Sequence, residues 1–173
     1  IKASESSSLK QFFSTSEKNR LDFTHKVVRT IIYDSLREKE KITLHKRILQ
    51  FLERQKETSY ILQLKAYHSF SCKDSKAELF LIRILRKSVD NSDVESAIDA
   101  FEKLKQLNTV DFLLRTDRQM LPKIGTLYYL AGQSDKAISL YNELLQKLKK
   151  KSEKIQVLHS LAMTKSLVSQ YDE

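Results

Sequence analysis

The sequence predicts an all-α chain, built of antiparallel helix pairs stacked side by side as an α-solenoid. Three observations predict it. Glycine occurs twice and proline once in 173 residues, too few turn-formers for a many-stranded β protein. Apolar residues recur three and four positions apart through most of the chain, the period of a half-buried helix. The segment Gly125-Thr-Leu-Tyr128-Tyr-Leu-Ala-Gly132-Gln-Ser-Asp-Lys-Ala137-Ile-Ser-Leu-Tyr141-Asn-Glu-Leu144 reads as two amphipathic helices around a tight turn. Such a pair cannot bury its apolar face alone, so neighbouring pairs are expected.

The elements follow in order. Residues 1–9 are Ser-rich and read as frayed or extended. Two β-favouring runs, Lys10-Gln-Phe12-Phe13 and Arg20-Leu21-Asp22-Phe23, flank a polar turn, and a short β-hairpin is expected there. Thr24 stands at an N-cap position before Val27, Val28, Ile31, Ile32 and Leu36, which recur at helical spacing. The next helix opens at Ile42 or Thr43, with Ile48, Leu49 and Leu52 on its apolar side. Helices are then predicted over 60–70 and 76–87. Asp90-Asn-Ser-Asp93 is a start signal for a further helix carrying Val94, Ala97, Ile98, Phe101 and Leu104. After a turn near Asn108, Val110-Asp-Phe-Leu-Leu114 reads as a short or bent helix. The pair 118–131 and 134–150 follows, and a last helix runs from Lys154 to Ser169 with Ile155, Leu158, Leu161, Ala162 and Val168 inward. Eight or nine helices with short connections imply sequential antiparallel packing.

Composition bounds the function. The single cysteine, Cys72, excludes an internal disulfide framework and points to a reducing, cytoplasmic setting. No run approaches 18 apolar residues and no signal-peptide pattern opens the chain, so no membrane partner is expected. The chain starts at Ile1 and stops in mid-pattern at Tyr171-Asp-Glu, which reads as a piece of a longer protein. A net charge of +9 invites a nucleic-acid reading. Its distribution weakens that reading: basic residues are interleaved with acidic ones, as in Arg37-Glu-Lys-Glu-Lys41 and Glu102-Lys-Leu-Lys105. Only Lys147, Lys149, Lys150, Lys151 and Lys154 cluster, and a helix C-terminus accounts for such a run through its dipole.

Catalytic patterns are missing from the sequence. His25, His45, His68 and His159 are scattered, without a His-Glu-x-x-His helix or a zinc spacing to Cys, so no metal ligands are expected. Cys72 lies four residues after His68, but a lone Cys near a helix end is ordinarily inert. There is no Gly-x-x-x-x-Gly-Lys-Ser/Thr phosphate loop. No enzyme activity and no cofactor are expected of this segment itself.

Residues 118–151 resemble a tetratricopeptide repeat. Leu121, Ile124, Gly125, Tyr128, Gly132, Ala137, Tyr141 and Leu144 stand at that family's recurrent positions, with Lys149 where the family has proline. On this reading Gly125 and Ala137 face each other at the closest helix crossing, Gly132 ends the first helix in a left-handed turn, and Tyr128 and Tyr141 fill the gap to the next pair. Weaker copies around Ala77 and around Ala97, Phe101 and Leu104 precede it, with 107–117 as an insertion.

A second resemblance covers the N-terminus. Phe23, His25, Arg29, Tyr33 and Leu36, then Leu44, His45 and Ile48, match a pattern at the end of the winged-helix module of STAND-class signal-transduction ATPases. The chain thus divides into 1–39, the end of a winged-helix-like module, and 40–173, tetratricopeptide-like repeats. In that class a winged-helix histidine in a Met-His-Asp-like motif helps hold a nucleoside diphosphate in the inactive state. His25 is the matching nucleotide-sensor candidate, with Phe23 for Met and Lys26 for Asp.

The resemblances imply a non-catalytic regulatory segment that binds a protein or peptide in a helical-repeat groove. The partner signal would pass to an upstream nucleotide-binding domain holding ATP or ADP in the parent protein. A stand-alone repeat adaptor is the alternative, and a basic repeat that binds nucleic acid is a lesser one.

Overall fold

The computed structural model describes residues 13–15, 21–23, 26–109, 113–114 and 117–169. Strands Phe13–Thr15 (β1) and Leu21–Phe23 (β2) form an antiparallel ladder that pairs Phe13 with Phe23 and Thr15 with Leu21. Eight α-helices follow among the described residues. They are α1 Lys26–Ser35, α2 Glu38–Glu53, α3 Ser59–Ser71, α4 Ala77–Asp90, α5 Val94–Gln106, α6 Met120–Leu130, α7 Ser134–Lys147 and α8 Lys151–Ser169. Apart from that short ladder, the regular structure of the described residues is α-helical. From α3 onward each helix packs on the one before it, and α6 also touches both α4 and α8. No helix among the described residues is long and apolar enough to cross a membrane.

Helix starts follow local chemistry. Asp93 caps α5, its carboxylate accepting from the Ser96 N–H at 3.2 Å, where the start signal stood in the sequence. Thr58 does the same for α3, accepting from the Ile61 N–H at 3.2 Å. Helix α2 begins at Glu38, earlier than the expected Ile42 or Thr43. The Glu40 carboxylate reaches back to the Arg37 N–H at 2.8 Å and to the Arg37 guanidinium at 3.1 Å, half of a capping box. The interleaved charges there form a helix start.

Four helices end in one geometry. After α3, α4, α5 and α6 a residue takes positive φ: Lys73 (54°), Ser92 (56°), Asn108 (56°) and Gly132 (72°). In each case the next N–H returns to a carbonyl five residues back: Asp74 to Ser69 at 2.9 Å, Asp93 to Ser88 at 2.8 Å, Thr109 to Leu104 at 3.1 Å and Gln133 to Tyr128 at 2.9 Å. This is the Schellman ending, which satisfies carbonyls that the helix leaves open. Only Gly132 adopts the left-handed turn without a Cβ penalty. A Cβ at Gly132 meets nothing within 4 Å, so the cost of one is purely conformational. We therefore expect Gly132→Ala to lower stability by about 1 kcal/mol and Ser92→Gly to raise it by about 0.5–1 kcal/mol. Urea titration checks both, and equal midpoints for the two variants would refute the turn geometry.

The core runs from α2 to α8. It contains Leu49, Leu62, Leu81, Leu85, Ala97, Phe101, Leu104, Leu121, Ile124, Tyr128, Ala137, Tyr141, Leu144, Val157 and Leu161. Helix α4 packs most closely on α5, so the predicted pair 60–70 and 76–87 shares its second helix with the next unit. Helix α8 differs from its predicted register. Val157, Leu161 and Thr164 are buried, whereas Ile155, Leu158 and Ala162 are exposed. Spacing allows either stripe, and contact with α7 and α6 selects the first. Of the expected short helix 110–114, residues 110–112 lie outside the described residues. Leu113 is fully buried, its N–H bonded to the Thr109 carbonyl at 3.1 Å.

Candidate interaction surface

Helices α3 and α5 flank α4 and leave a groove of about 260 Å³ above it. One wall is α3, where Tyr60, Leu64 and Tyr67 lie at i, i+4 and i+7 and so share a face. Tyr60 is 67% and Tyr67 50% exposed. The opposite wall is α5, with Ser96, Asp99 and Lys103, the last two ion-paired at 2.6 Å. Buried Ala66, Leu81 and Ala100 form the floor. A concave, apolar floor with aromatic and charged walls suits a peptide side chain.

The α3 wall is held from behind. Glu57, in the α2–α3 connection, is ion-paired to the Arg83 guanidinium of α4 and to the largely buried Lys65 at 3.5 Å. The Arg83 hydrogen bond keeps the Glu57 carboxyl below its ordinary range; burial opposes it, and the charges of Arg83 and Lys65 add to the lowering. Lys87 of α4 also bonds the Ser59 hydroxyl. These contacts tie the start of α3 to α4, so Tyr60 projects from a fixed base.

The residues predicted for repeat packing lie in the core of α6 and α7. Leu121, Ile124, Gly125, Tyr128, Ala137, Tyr141 and Leu144 are all buried, and Gly132 is the exposed left-handed residue between the helices. Two details differ from expectation. The atoms nearest to a Cβ built at Gly125 all belong to the Tyr141 ring, at 2.4, 2.5 and 2.8 Å. The neighbour that demands glycine is therefore Tyr141, one turn beyond Ala137. Tyr141 also turns its hydroxyl back onto its own helix pair. Its hydroxyl lies 3.3 Å from the Thr126 hydroxyl and 3.4 Å from the Pro122 carbonyl, both on α6.

Tyr128 does bridge elements, and it reaches backward. Its hydroxyl donates to Glu102 of α5 at 2.8 Å, and Lys136 of α7 donates to the same oxygen at 3.0 Å. One carboxylate thus joins three helices. Burial and the bond to Glu102 raise the Tyr128 phenol well above its ordinary range. Burial pushes the Glu102 carboxyl up, but Lys136, Tyr128 and Lys105 outweigh it and hold the group below its usual value.

The basic cluster is not a helix C-terminus throughout. Lys147 lies in the last turn of α7, where the dipole favours a cation. Lys149 and Lys150 lie in the connection, and Lys151 and Lys154 in the first turn of α8, where the dipole opposes them. Glu153 offsets this charge, pairing with Arg118 at 3.5 Å and Lys150 at 4.0 Å.

His25, the nucleotide-sensor candidate, lies outside the described residues. His45 and His68, spread apart in the sequence, meet. Their Nδ1 atoms are 2.7 Å apart, and the Tyr33 hydroxyl lies 2.7 Å from Nε2 of His45. The Tyr67 ring sits edge-on to both imidazoles, with centroids 5.7 and 5.0 Å away. His45 is only 3% exposed. Burial holds both histidines below their ordinary value, and at His68 the neighbouring His45 adds to it. No spacing signal announces this chain of groups, because its members come from three helices. No group of metal-ligating residues is found among the described residues. Compared with known proteins, the chain matches no family model, no curated protein and no solved structure.

Proposed function

We propose that this chain is a non-catalytic interaction segment: a tetratricopeptide-like helical array that takes a protein or peptide partner in the α3–α5 groove. The observation that carries the reading is the exposed Tyr60–Leu64–Tyr67 face above a rigidly held base. Tyrosine is among the residue types enriched at binding hot spots. The neighbour-to-neighbour packing from α2 to α8, with α4, α6 and α8 also in a row, supports a stacked array. In the fuller reading the array is the sensing arm of a cytoplasmic STAND-type ATPase. Partner binding would then bias an upstream nucleotide switch through differential affinity for its two states.

Two measurements test this. A peptide selected from a displayed library on the intact chain should lose at least tenfold in affinity for Tyr60→Ala/Tyr67→Ala. The thermal melt of Tyr60→Ala alone should hardly change, since that ring is largely exposed, and its affinity should fall in the same direction; Tyr67 also packs on His45 and His68. Undiminished binding sinks the groove. A labelled single-stranded oligonucleotide should bind weakly, and strong binding with a steep salt slope would favour the nucleic-acid reading instead. A phosphate loop and acidic strand in the upstream reading frame would support the ATPase setting.

A further inference from the structure

Helix α1 is held to the array by little apolar burial. None of its described side chains is buried, and Val27 and Ile31 are 67% and 63% exposed. What reaches across is polar. The Tyr33 hydroxyl bonds His45 of α2, and Lys41 of α2 sits 5.2 Å above the Tyr33 ring. Behind His45 stands His68 of α3, so the attachment of α1 runs through a chain of three titratable groups.

Proton counting constrains that chain. Two nitrogens 2.7 Å apart hold one proton between them. In the uncharged form Tyr33 donates to Nε2 of His45, Nδ1–H of His45 donates to Nδ1 of His68, and Nε2 of His68 keeps its own proton, or the whole chain runs in reverse. A first added proton leaves the bridge intact, because a doubly protonated His45 still donates to His68. A second does not. Two imidazolium rings would direct N–H against N–H at 2.7 Å, with like charges in a buried site.

Among the described residues the rings meet one another and the tyrosines, and no carboxylate bonds them to offset that charge. The charged and titratable groups around the site are Lys41 and Glu38 on α2, paired at 3.3 Å, Asp34 and Tyr33 on α1, and Tyr67 on α3. One turn beyond His68, Cys72 feels Asp74 and Lys46. Asp34 and Glu38 act on Tyr33 rather than on the imidazoles.

We propose that the His45–His68 bridge is a proton-operated latch: the pair stays buried against α1 while it carries at most one added proton, and a second proton forces the two rings apart and into water, which releases α1, the loosely held element against His45. The latch does not depend on the groove binding a partner. The sign follows from linkage. Both histidines are held below their ordinary value of 6.5, so the undocked state binds more protons. Docking is complete above about pH 6.5 and is lost as the pH falls below it.

Amide hydrogen exchange on the intact chain, read as protection factors over residues 27–35, tests the latch. Protection of α1 should fall at least tenfold between pH 7.5 and 5.0, while the α6 and α7 amides keep theirs. In His68→Asn the side-chain carbonyl accepts from His45 without titrating, so α1 should stay protected at both pH values. Tyr33→Phe cuts the link and should leave α1 unprotected at both. Nitrogen-15 spectra of the imidazoles should show the second protonation of the pair in step with release. Equal α1 protection at pH 7.5 and 5.0 in the unaltered chain overturns the latch. So does a His68→Asn variant that folds and still releases α1 on acidification. If His68→Asn does not fold, Tyr33→Phe decides: α1 protection that still depends on pH there places the titrating group elsewhere.

Discussion

Phe101→Ala should lower the stability of this chain by about 3–5 kcal/mol, the range for truncating a fully buried aromatic side chain. Phe101 is 1% exposed and packs edge-on to Tyr128, with ring centroids 6.2 Å apart at 69°. It stands on α5, between α4 and α6, where Leu81, Leu85, Leu121 and Ile124 are also buried. The connection from α5 to α6 is the longest between described helices, so side-chain packing rather than a short turn holds the two together. Tyr128 would keep its bond to Glu102 but lose the ring that orients it. A loss of this size is a large part of the total stability of an ordinary domain. We expect the midpoint of thermal melting to drop by about 10 °C or more. A loss below about 1 kcal/mol in urea would mean that Phe101 is not at the α5–α6 seam.

Gly125→Ala should also destabilise, although helix propensity alone argues the opposite. Replacing glycine by alanine inside a helix ordinarily gains about 1 kcal/mol. Here the new Cβ would stand 2.4 Å from Cε1 of Tyr141. The ring cannot withdraw cheaply, because Tyr141 is 1% exposed and its hydroxyl is engaged on α6. Over-packing of that kind costs about 1–3 kcal/mol or more, enough to cancel the propensity gain and reverse its sign. The double variant Gly125→Ala/Tyr141→Leu separates the two effects. With the ring removed, the alanine should become neutral or favourable relative to Tyr141→Leu alone. Additive losses in that cycle would place the close approach elsewhere.

Much of the helical layout was legible in the sequence. The caps are local: Asp93 precedes its helix by one residue and Gly132 follows its own by two, so sequence spacing alone placed them. The stripe Ala97, Phe101 and Leu104 was legible for the same reason, since it repeats within one helix. The start of α2 was missed because Arg37 and Glu40 form a cap from charged side chains, which reads as a solvated run. The register of α8 was missed because the helix carries apolar residues on more than one face: Val157 and Leu161 are buried while Ile155, Leu158 and Met163 are exposed. Periodicity cannot choose between stripes when both are apolar.

The candidate groove was less legible than the helical layout. Tyr60, Leu64 and Tyr67 have the spacing of a core stripe, and only the position of α5 shows that two of them face outward. The histidines were read as separate motif positions, and their meeting depends on α2 and α3 packing side by side.

The sequence by itself determined that the chain is helical and where most helices begin and end. Those properties come from interactions within a turn or two of the same helix. Only the tertiary structure decided that Gly125 yields to Tyr141, that Glu102 joins three helices, and that His45 shares a proton with His68. Their partners lie 16, 26, 34 and 23 residues away along the chain. At that separation the helix period carries no information, and packing alone sets who meets whom.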